Sequence, residues 1–400
     1  SAVPAEVQAP PPGHPMPRTR PREDRILVLQ GGGALGAYQA GVFEALDAQR
    51  QAPDWVAGIS IGAINAALIA GNPPERRIER LQAFWERVTS AGALPGLAPG
   101  LPIAHPDAAR ALHEGLNDAS ALQALWFGVP GFFAPRWPPA LFALPGTPAA
   151  VSVYDTAPLR DTLEALVDFD RINTGPVRLS VGAVNVRTGN FAYFDSARQR
   201  IDVRHILASG ALPPGFAPVE IDGEHYWDGG LVSNTPLQYV LDQPDERHRT
   251  VFQVDLFPAR GDLPTTLQEV GAREKDIRFS SRTRMNTDIE LRLEALSRAA
   301  NRLLAKLPPA LRDDPDARLL ADLRPVGGSV DVVHLIYRTR PCEGDNKDYA
   351  FSRSSMREHW CAGRDDATRT LADARWRGRA RRRHGVRVYD LLPAGSRHPA

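Results

Sequence analysis

Four consecutive apolar residues, Ile26-Leu27-Val28-Leu29, open the ordered part of the chain. A run with no polar alternation is expected of a parallel strand buried on both faces. It passes into Gly31-Gly32-Gly33-Ala34-Leu35-Gly36, and then Tyr38, Val42, Ala45 and Leu46 recur at helical spacing. A second unit repeats the order. Asp54-Trp55-Val56-Ala57 reads as a short strand, Gly58-Ile59-Ser60-Ile61-Gly62 as a turn, and Ala63 to Ala70 as an apolar helix. Pro73 to Val88 carries its stripe at Ile78, Leu81, Phe84, Trp85 and Val88, which is core packing. Pro158 to Val167 reads as a helix, and Val177 to Val184 and Phe191 to Phe194 read as strands. His205 to Ala211 is a short helix stopped by Pro213-Pro214, and Val219 to Trp227 is a hairpin turning at Asp222-Gly223. Thr250 to Phe257 is a further apolar strand. Beyond it come a long charged helical stretch from Glu269 to Leu307, a strand from Val330 to Tyr337 and a helix from Ser352 to Ala374. No internal repeat is visible.

Two segments break this rhythm. Residues 1–24 hold prolines at 4, 10, 11, 12, 15, 17 and 21 and almost no large apolar residue, so they read as a disordered tail. Residues 91–150 are rich in Pro and Gly yet carry Leu125, Trp126, Phe127, Phe132, Phe133, Trp137, Leu141 and Phe142. Such an insertion suits a lid, a lipid-contacting surface or a cover packed on the core; packing carries about half the weight, because exposed apolar patches are uncommon on soluble proteins.

Bulk properties narrow the partners. A formal net charge of +1 gives no global field for nucleic acid. Cys342 and Cys361 form neither a disulfide framework nor a metal set, and two reduced thiols are expected. No apolar run approaches the roughly 18 residues of a membrane helix, and the proline-rich start shows no secretory signal. The expected location is the cytoplasm, with peripheral contact at a membrane. A late basic cluster, Arg375, Arg377, Arg379, Arg381, Arg382, Arg383 and Arg387, suits anionic headgroups, although a solvated helix end outweighs that reading.

The chemistry concentrates in three motifs. A serine flanked by glycines two residues either side is the pattern of a nucleophile elbow: a tight strand-to-helix turn lifts the hydroxyl clear, and side chains at Gly58 or Gly62 would collide with it. The glycine loop has three readings. Gly31, Gly33 and Gly36 fit the dinucleotide spacing, but no acidic residue follows at the end of a second strand, and a P-loop is excluded by the missing Gly-Lys-Ser/Thr. An oxyanion hole and a structural turn remain; the position one strand–helix unit ahead of a serine elbow favours the oxyanion hole. For the base, His205, His225 and His334 lie late enough, but none has a neighbourhood that marks it. Ser60 also comes too early in the chain for the Ser, Asp/Glu, His order of an α/β-hydrolase. Asp228-Gly229-Gly230 is the better candidate, since a carboxylate hydrogen-bonded to a serine in a water-poor site gains basicity.

Taken in order, Gly31-Gly32-Gly33-Ala34-Leu35-Gly36, Gly58-Ile59-Ser60-Ile61-Gly62 and Asp228-Gly229-Gly230-Leu231-Val232-Ser233-Asn234-Thr235-Pro236 resemble the patatin-like phospholipases. Ala208-Ser209-Gly210-Ala211-Leu212-Pro213 is similar to the segment preceding that aspartate in the family. The likeness covers residues 25–258 as the catalytic domain. Residues 259–393 are similar to a mainly helical extension of some bacterial members, through Asp348-Tyr349-Ala350-Phe351-Ser352-Arg353 and Trp360. The resemblance implies a three-layer α/β/α fold with a mostly parallel sheet, the extension packed upon it. It also implies a Ser-Asp dyad without histidine, metal or cofactor, and hydrolysis of acyl esters of lipids. Carried over, Ser60 is the nucleophile, Asp228 the base, and Gly31, Gly32, Gly33, Ala34 and Ile61 the oxyanion-hole positions; Gly36, Gly58, Gly62, Gly229 and Gly230 are motif glycines. Two departures stand out. Leu35 replaces an arginine common in the loop, which removes a cationic contact to a phosphate, and Ile61 replaces a smaller residue, which narrows the space beside the serine. A thioesterase or acyltransferase on an acyl carrier, and a silent lipid-binding or regulatory protein on the same scaffold, are the alternatives.

Overall fold

The computed structural model describes residues 23–90, 127–243, 247–280, 283–311, 314–322, 328–338, 351–380 and 385–392. Eleven strands are found among them: β1 Asp24–Leu29, β2 Trp55–Gly58, β3 Ala134–Pro135, β4 Tyr154–Asp155, β5 Arg178–Asn185, β6 Phe191–Asp195, β7 Val219–Ile221, β8 Glu224–Asp228, β9 Arg249–Asp255, β10 Ser329–Ile336 and β11 Gly385–Tyr389. The main sheet runs β11-β10-β9-β1-β2-β5-β8-β7, with β6 also on β5. From β11 to β5 the pairings are parallel; β6, β8 and β7 add an antiparallel end.

The fold is three-layered α/β/α, and β1 shows why. Leu27 and Leu29 point to one face and Ile26 and Val28 to the other, and all four are buried. On the first face lie α1 Gly36–Ala48, α2 Ile61–Ala70 and α3 Arg77–Val88. They bring Phe43, Leu46, Ile64, Leu68, Phe84 and Trp85 into the larger core. The second face is covered by Leu237, Val240 and Leu241 of the helix Leu237–Leu241.

The C-terminal region is more than a helical addition. β10 pairs with β9 and β11 with β10, so its strands extend the central sheet. The sequence pattern does not mark β11, because Arg387 of the basic cluster lies within it. Those arginines are engaged: Arg387 donates to Asp331 at 3.0 Å, Arg379 stacks on Trp376 and pairs with Glu23, and Arg375 pairs with Asp373. Arg381, Arg382 and Arg383 lie outside the described residues. The long stretch expected from Glu269 to Leu307 forms two helices, Leu267–Phe279 and Thr283–Leu304.

The helix Arg353–Ala372 lies directly on α1. A Cβ at Gly41 would sit 1.9 Å from the Trp360 carbonyl oxygen, and one at Gly363 2.0 Å from that of Tyr38, so glycine on both helices lets the backbones touch. The Tyr38 hydroxyl donates to Asp366 at 2.9 Å and Trp360 Nε1 to Glu44 at 2.7 Å, which fixes the register of the pair.

The insertion divides. Residues 91–126, with Leu125 and Trp126, lie outside the described residues. Phe132 and Phe133 are buried in an aromatic cluster with Phe84, Tyr154, Phe216 and Phe351. Phe127, Trp137, Leu141 and Phe142 are exposed. Packed cover and exposed apolar surface therefore occur in one segment.

Candidate active site

The elbow is built by backbone contact. A Cβ at Gly58 would lie 2.3 Å from the Gly62 carbonyl oxygen, and one at Gly62 2.3 Å from that of Leu29. Only glycine lets β2, the turn and β1 pass so closely. Between them Ser60 takes φ 56°, ψ −124°, a conformation disfavoured for a residue with a side chain. The strain is held in place: the Ser60 N–H donates to Ser209 Oγ at 3.1 Å, and the Ser209 hydroxyl donates to the Gly182 carbonyl at 2.6 Å. Ser209 ends the helix Val203–Ser209, within the segment Ala208 to Pro213.

Asp228 arrives from the other side. It ends β8, opposite Ala183 on the central strand β5, and its N–H donates to the Ala211 carbonyl at 3.0 Å. Its side chain is buried and accepts from the Gly230 N–H at 2.7 Å, and the Ser60 hydroxyl lies close enough to favour its charged form. Burial pushes its pKa up to about 6, against the lowering effect of those two groups. Gly229 and Gly230 keep this turn tight, for a Cβ at Gly229 would lie 2.7 Å from the Gly182 carbonyl oxygen.

The glycine loop closes the third side. Gly31 packs against Ser60 and Asn234, and its N–H donates to the Asn234 carbonyl at 3.2 Å. That overturns the placement of Gly31 among the oxyanion donors, since its proton is already committed. Gly32, Gly33 and Ala34 differ. A 3₁₀ turn over Gly33–Leu35 begins there, with its first backbone hydrogen bond from Leu35 N–H to the Gly32 carbonyl. The N–H groups ahead of that bond have no acceptor within the turn. Ile61 is the first residue of α2, where the same holds for its N–H.

Leu35 is wholly buried in the core. One expectation about shape is corrected. The Ile61 side chain is buried too; it packs towards Gly36, whose own Cβ would lie 2.5 Å from Ile61 Cγ1, so it does not narrow the approach to Ser60.

Two of the three histidines are engaged elsewhere and the third is exposed. His205 caps its own helix, its Nδ1 accepting from the Asp202 N–H at 3.0 Å; His334 pairs with Asp255, and His225 is exposed on β8. Three polar residues that sequence reasoning passed over hold the site together. Ser209 fixes the Ser60 backbone. Asn234 Nδ2 donates to the Gly31 carbonyl at 2.9 Å. Gln30, fully buried, accepts through Oε1 from the N–H groups of Leu256 and Phe257 at 2.6 and 3.0 Å and donates to Thr235 Oγ1 at 3.0 Å. The signal for Gln30 was a lone polar residue at the end of a buried strand, where an uncompensated amide would be costly.

Residues 27–241 match the family model described as patatin-like phospholipase. The chain belongs to the patatin-like phospholipases. A second model, described as patatin phospholipase, matches residues 277–383, so this patatin-like phospholipase carries a further family signature in its C-terminal region. The family's members are hydrolases of lipid esters. Among solved structures, VipD from Legionella pneumophila is 14% identical, with 88% of this chain and 67% of that chain covered and a TM-score of 0.36. The type III effector protein ExoU is 14% identical over 88% of this chain and 53% of its own, with a TM-score of 0.31. ExoU in complex with SpcU, from Pseudomonas aeruginosa, is 16% identical over 75% and 60%, with a TM-score of 0.25. No curated protein sequence matches the chain.

Proposed function

We propose that this patatin-like phospholipase cleaves fatty acyl esters of lipids through an acyl-serine intermediate, with Ser60 as nucleophile and Asp228 as its base. The placement of the Ser60 hydroxyl beside the buried Asp228 carboxylate carries the reading. As Ser60 Oγ bonds to the ester carbonyl carbon, its proton passes to Asp228. The carbonyl oxygen becomes an oxyanion facing the N–H groups of Gly32, Gly33 and Ala34, with Ile61 at the head of α2. Losing one such donor typically costs about 3 kcal/mol of transition-state stabilisation. The carbonyl–alkoxy bond then breaks, and the leaving alcohol takes the proton from Asp228. Water attacks the acyl-serine, gives its proton to Asp228 and releases the fatty acid, and the proton returns to Ser60. The burial of Asp228 supports this role, because a carboxyl group titrating near pH 6 is a stronger base than an exposed one.

The test is hydrolysis of a p-nitrophenyl acyl ester, with labelling of the serine by a fluorophosphonate probe. Ser60→Ala abolishes both. Asp228→Asn lowers turnover by about 10²- to 10⁴-fold, the usual share of a general base. Near-native turnover by Asp228→Asn removes the dyad; an active protein left unlabelled at Ser60 removes the serine. Phosphatidylcholine, lysophospholipid, triglyceride and acyl-CoA, compared side by side, identify the leaving group.

A further inference from the structure

Strands β3 and β4 form the neck of an excursion over residues 136–153, and that excursion has unusual chemistry. From Trp137 to Val151 the sequence is WPPALFALPGTPAAV, without one charged residue. Its large side chains face solvent: Trp137 is 89% exposed, Leu141 88%, Phe142 74% and Leu144 76%. Its neck, by contrast, is fastened. Phe133 packs on Tyr154 and Phe216, with ring centroids 4.7 and 5.3 Å apart, and Arg136 Nε donates to Ser152 Oγ at 2.8 Å.

Part of the backbone of the excursion is bonded from within. Phe142 N–H donates to the Pro139 carbonyl, Ala143 to Ala140, Thr147 to Leu144 and Ala150 to Thr147. The Thr147 hydroxyl donates to the Leu144 carbonyl and the Ser152 hydroxyl to that of Pro148, both at 2.8 Å. Pro138, Pro139, Pro145 and Pro148 have no N–H to satisfy. Local bonding of this kind lowers the cost of placing backbone at the headgroup boundary, above the hydrocarbon. A tip bearing Trp, Phe and Leu without charge matches the acyl–headgroup boundary.

The excursion is also continuous with the candidate active site. The Val153 N–H donates to the Pro214 carbonyl at 3.2 Å and that of Tyr154 to the Gly215 carbonyl at 2.9 Å. The segment so gripped begins at Ala211, whose carbonyl accepts the N–H of Asp228 at 3.0 Å. Leu231 and Val232, just beyond Asp228, are exposed apolar residues as well.

We infer that the tip of this excursion, Trp137 to Leu144, is a docking surface that inserts into the outer layer of a lipid aggregate and holds the Ser60–Asp228 site against it. The inference rests on the reading of the chain as a hydrolase of lipid esters, which makes an aggregated lipid the partner. Binding comes from apolar burial and needs no anionic headgroup. A face covered by a second protein or a second copy of the chain is the rival occupant.

The experiment uses the full chain carrying Ser60→Ala, so that lipid is bound and not consumed, with phosphatidylcholine vesicles as the probe in a co-sedimentation assay. The parent binds. Replacing Trp137, Leu141 and Phe142 together by Ser weakens partitioning by at least about tenfold, since each buried methylene contributes several-fold; Leu141→Asp alone does the same. In the chain with Ser60 intact, the same changes lower hydrolysis of vesicular phospholipid and leave a soluble short-chain ester unaffected. A parent that ignores the vesicles, a triple variant that binds as the parent does, or a parent that is dimeric in solution while the variant is monomeric overturns the inference. Vesicle binding without any esterase activity leaves the docking surface standing and removes the proposed hydrolysis; the reverse result removes only the surface.

Discussion

The Ser60 hydroxyl and the Asp228 carboxylate meet across the junction of two halves of one sheet, close enough for the hydroxyl to favour the ionised carboxylate: Ser60 follows β2 in the parallel part, and Asp228 ends β8 in the antiparallel part. β5 lies between those strands and pairs with both, so one rigid strand fixes their separation. The partners that steady the pair also converge on β5, since Ser209 donates to the Gly182 carbonyl and Gly229 packs against it.

The first consequence is a pH dependence. In the proposed mechanism Asp228 must be ionised to accept the serine proton, and burial pushes its pKa up to about 6. The rate constant kcat/KM for a soluble ester therefore rises with pH, about tenfold per unit on the acid side, and levels off above about pH 6. Initial rates between pH 4 and pH 8 read this directly. A limb near pH 4 means that Asp228 titrates as an ordinary exposed carboxylate and that its burial does not tune it.

The same shift bears on stability, with the opposite benefit. An unfolded aspartate titrates near 3.9. Between that value and about 6 the folded state holds more protons than the unfolded one, so the stability contributed by Asp228 at low pH is lost as pH rises through that window. Asp228→Asn cannot ionise. It is thus expected to be more stable than the parent at pH 8, by on the order of 2–3 kcal/mol, with the advantage vanishing below about pH 4. Urea unfolding at the two pH values measures the difference. An Asn variant that is less stable at pH 8 would show that the ionised carboxylate is held by contacts strong enough to offset its burial.

Much of this was legible in the chain because it depends on local order. The runs Ile26–Leu29 and Asp54–Ala57, each followed by glycine and a helical stripe, yield β1, β2, α1 and α2, and Asp222-Gly223 marks the β7–β8 turn. The elbow and the Asp-Gly-Gly turn carry their glycines for steric reasons that any close approach of backbones imposes. What stayed hidden depends on distant partners. The donor status of Gly31 is decided by the carbonyl of Asn234, and the direction of Ile61 by the gap at Gly36. β11 hid within a basic cluster because its arginines find carboxylates such as Asp331, which lies on the neighbouring strand. The exposure of Trp137 beside the burial of Phe133 follows from where the neck is fastened, and periodicity does not report that.

The backbone of Ser60 supplies the last prediction. At φ 56°, ψ −124° it holds a conformation that glycine adopts freely and that costs other residues about 1–3 kcal/mol. Ser60→Ala keeps the Cβ and therefore the strain. Ser60→Gly removes both, and gives back about 0.4–1 kcal/mol through the greater freedom of the unfolded chain. Both variants are expected to lose activity under the proposed mechanism, yet Ser60→Gly is expected to be the more stable by about 1 kcal/mol. The neighbouring Gly62→Ala runs the other way: its Cβ would lie 2.3 Å from the Leu29 carbonyl oxygen, a backbone atom that cannot move without β1, so a loss larger than that strain is expected. Denaturant midpoints at constant slope give all three values. If Ser60→Gly proves no more stable than Ser60→Ala, the elbow stores no strain, and the exposure of the hydroxyl must be attributed to the hydrogen bond from the Ser60 N–H to Ser209.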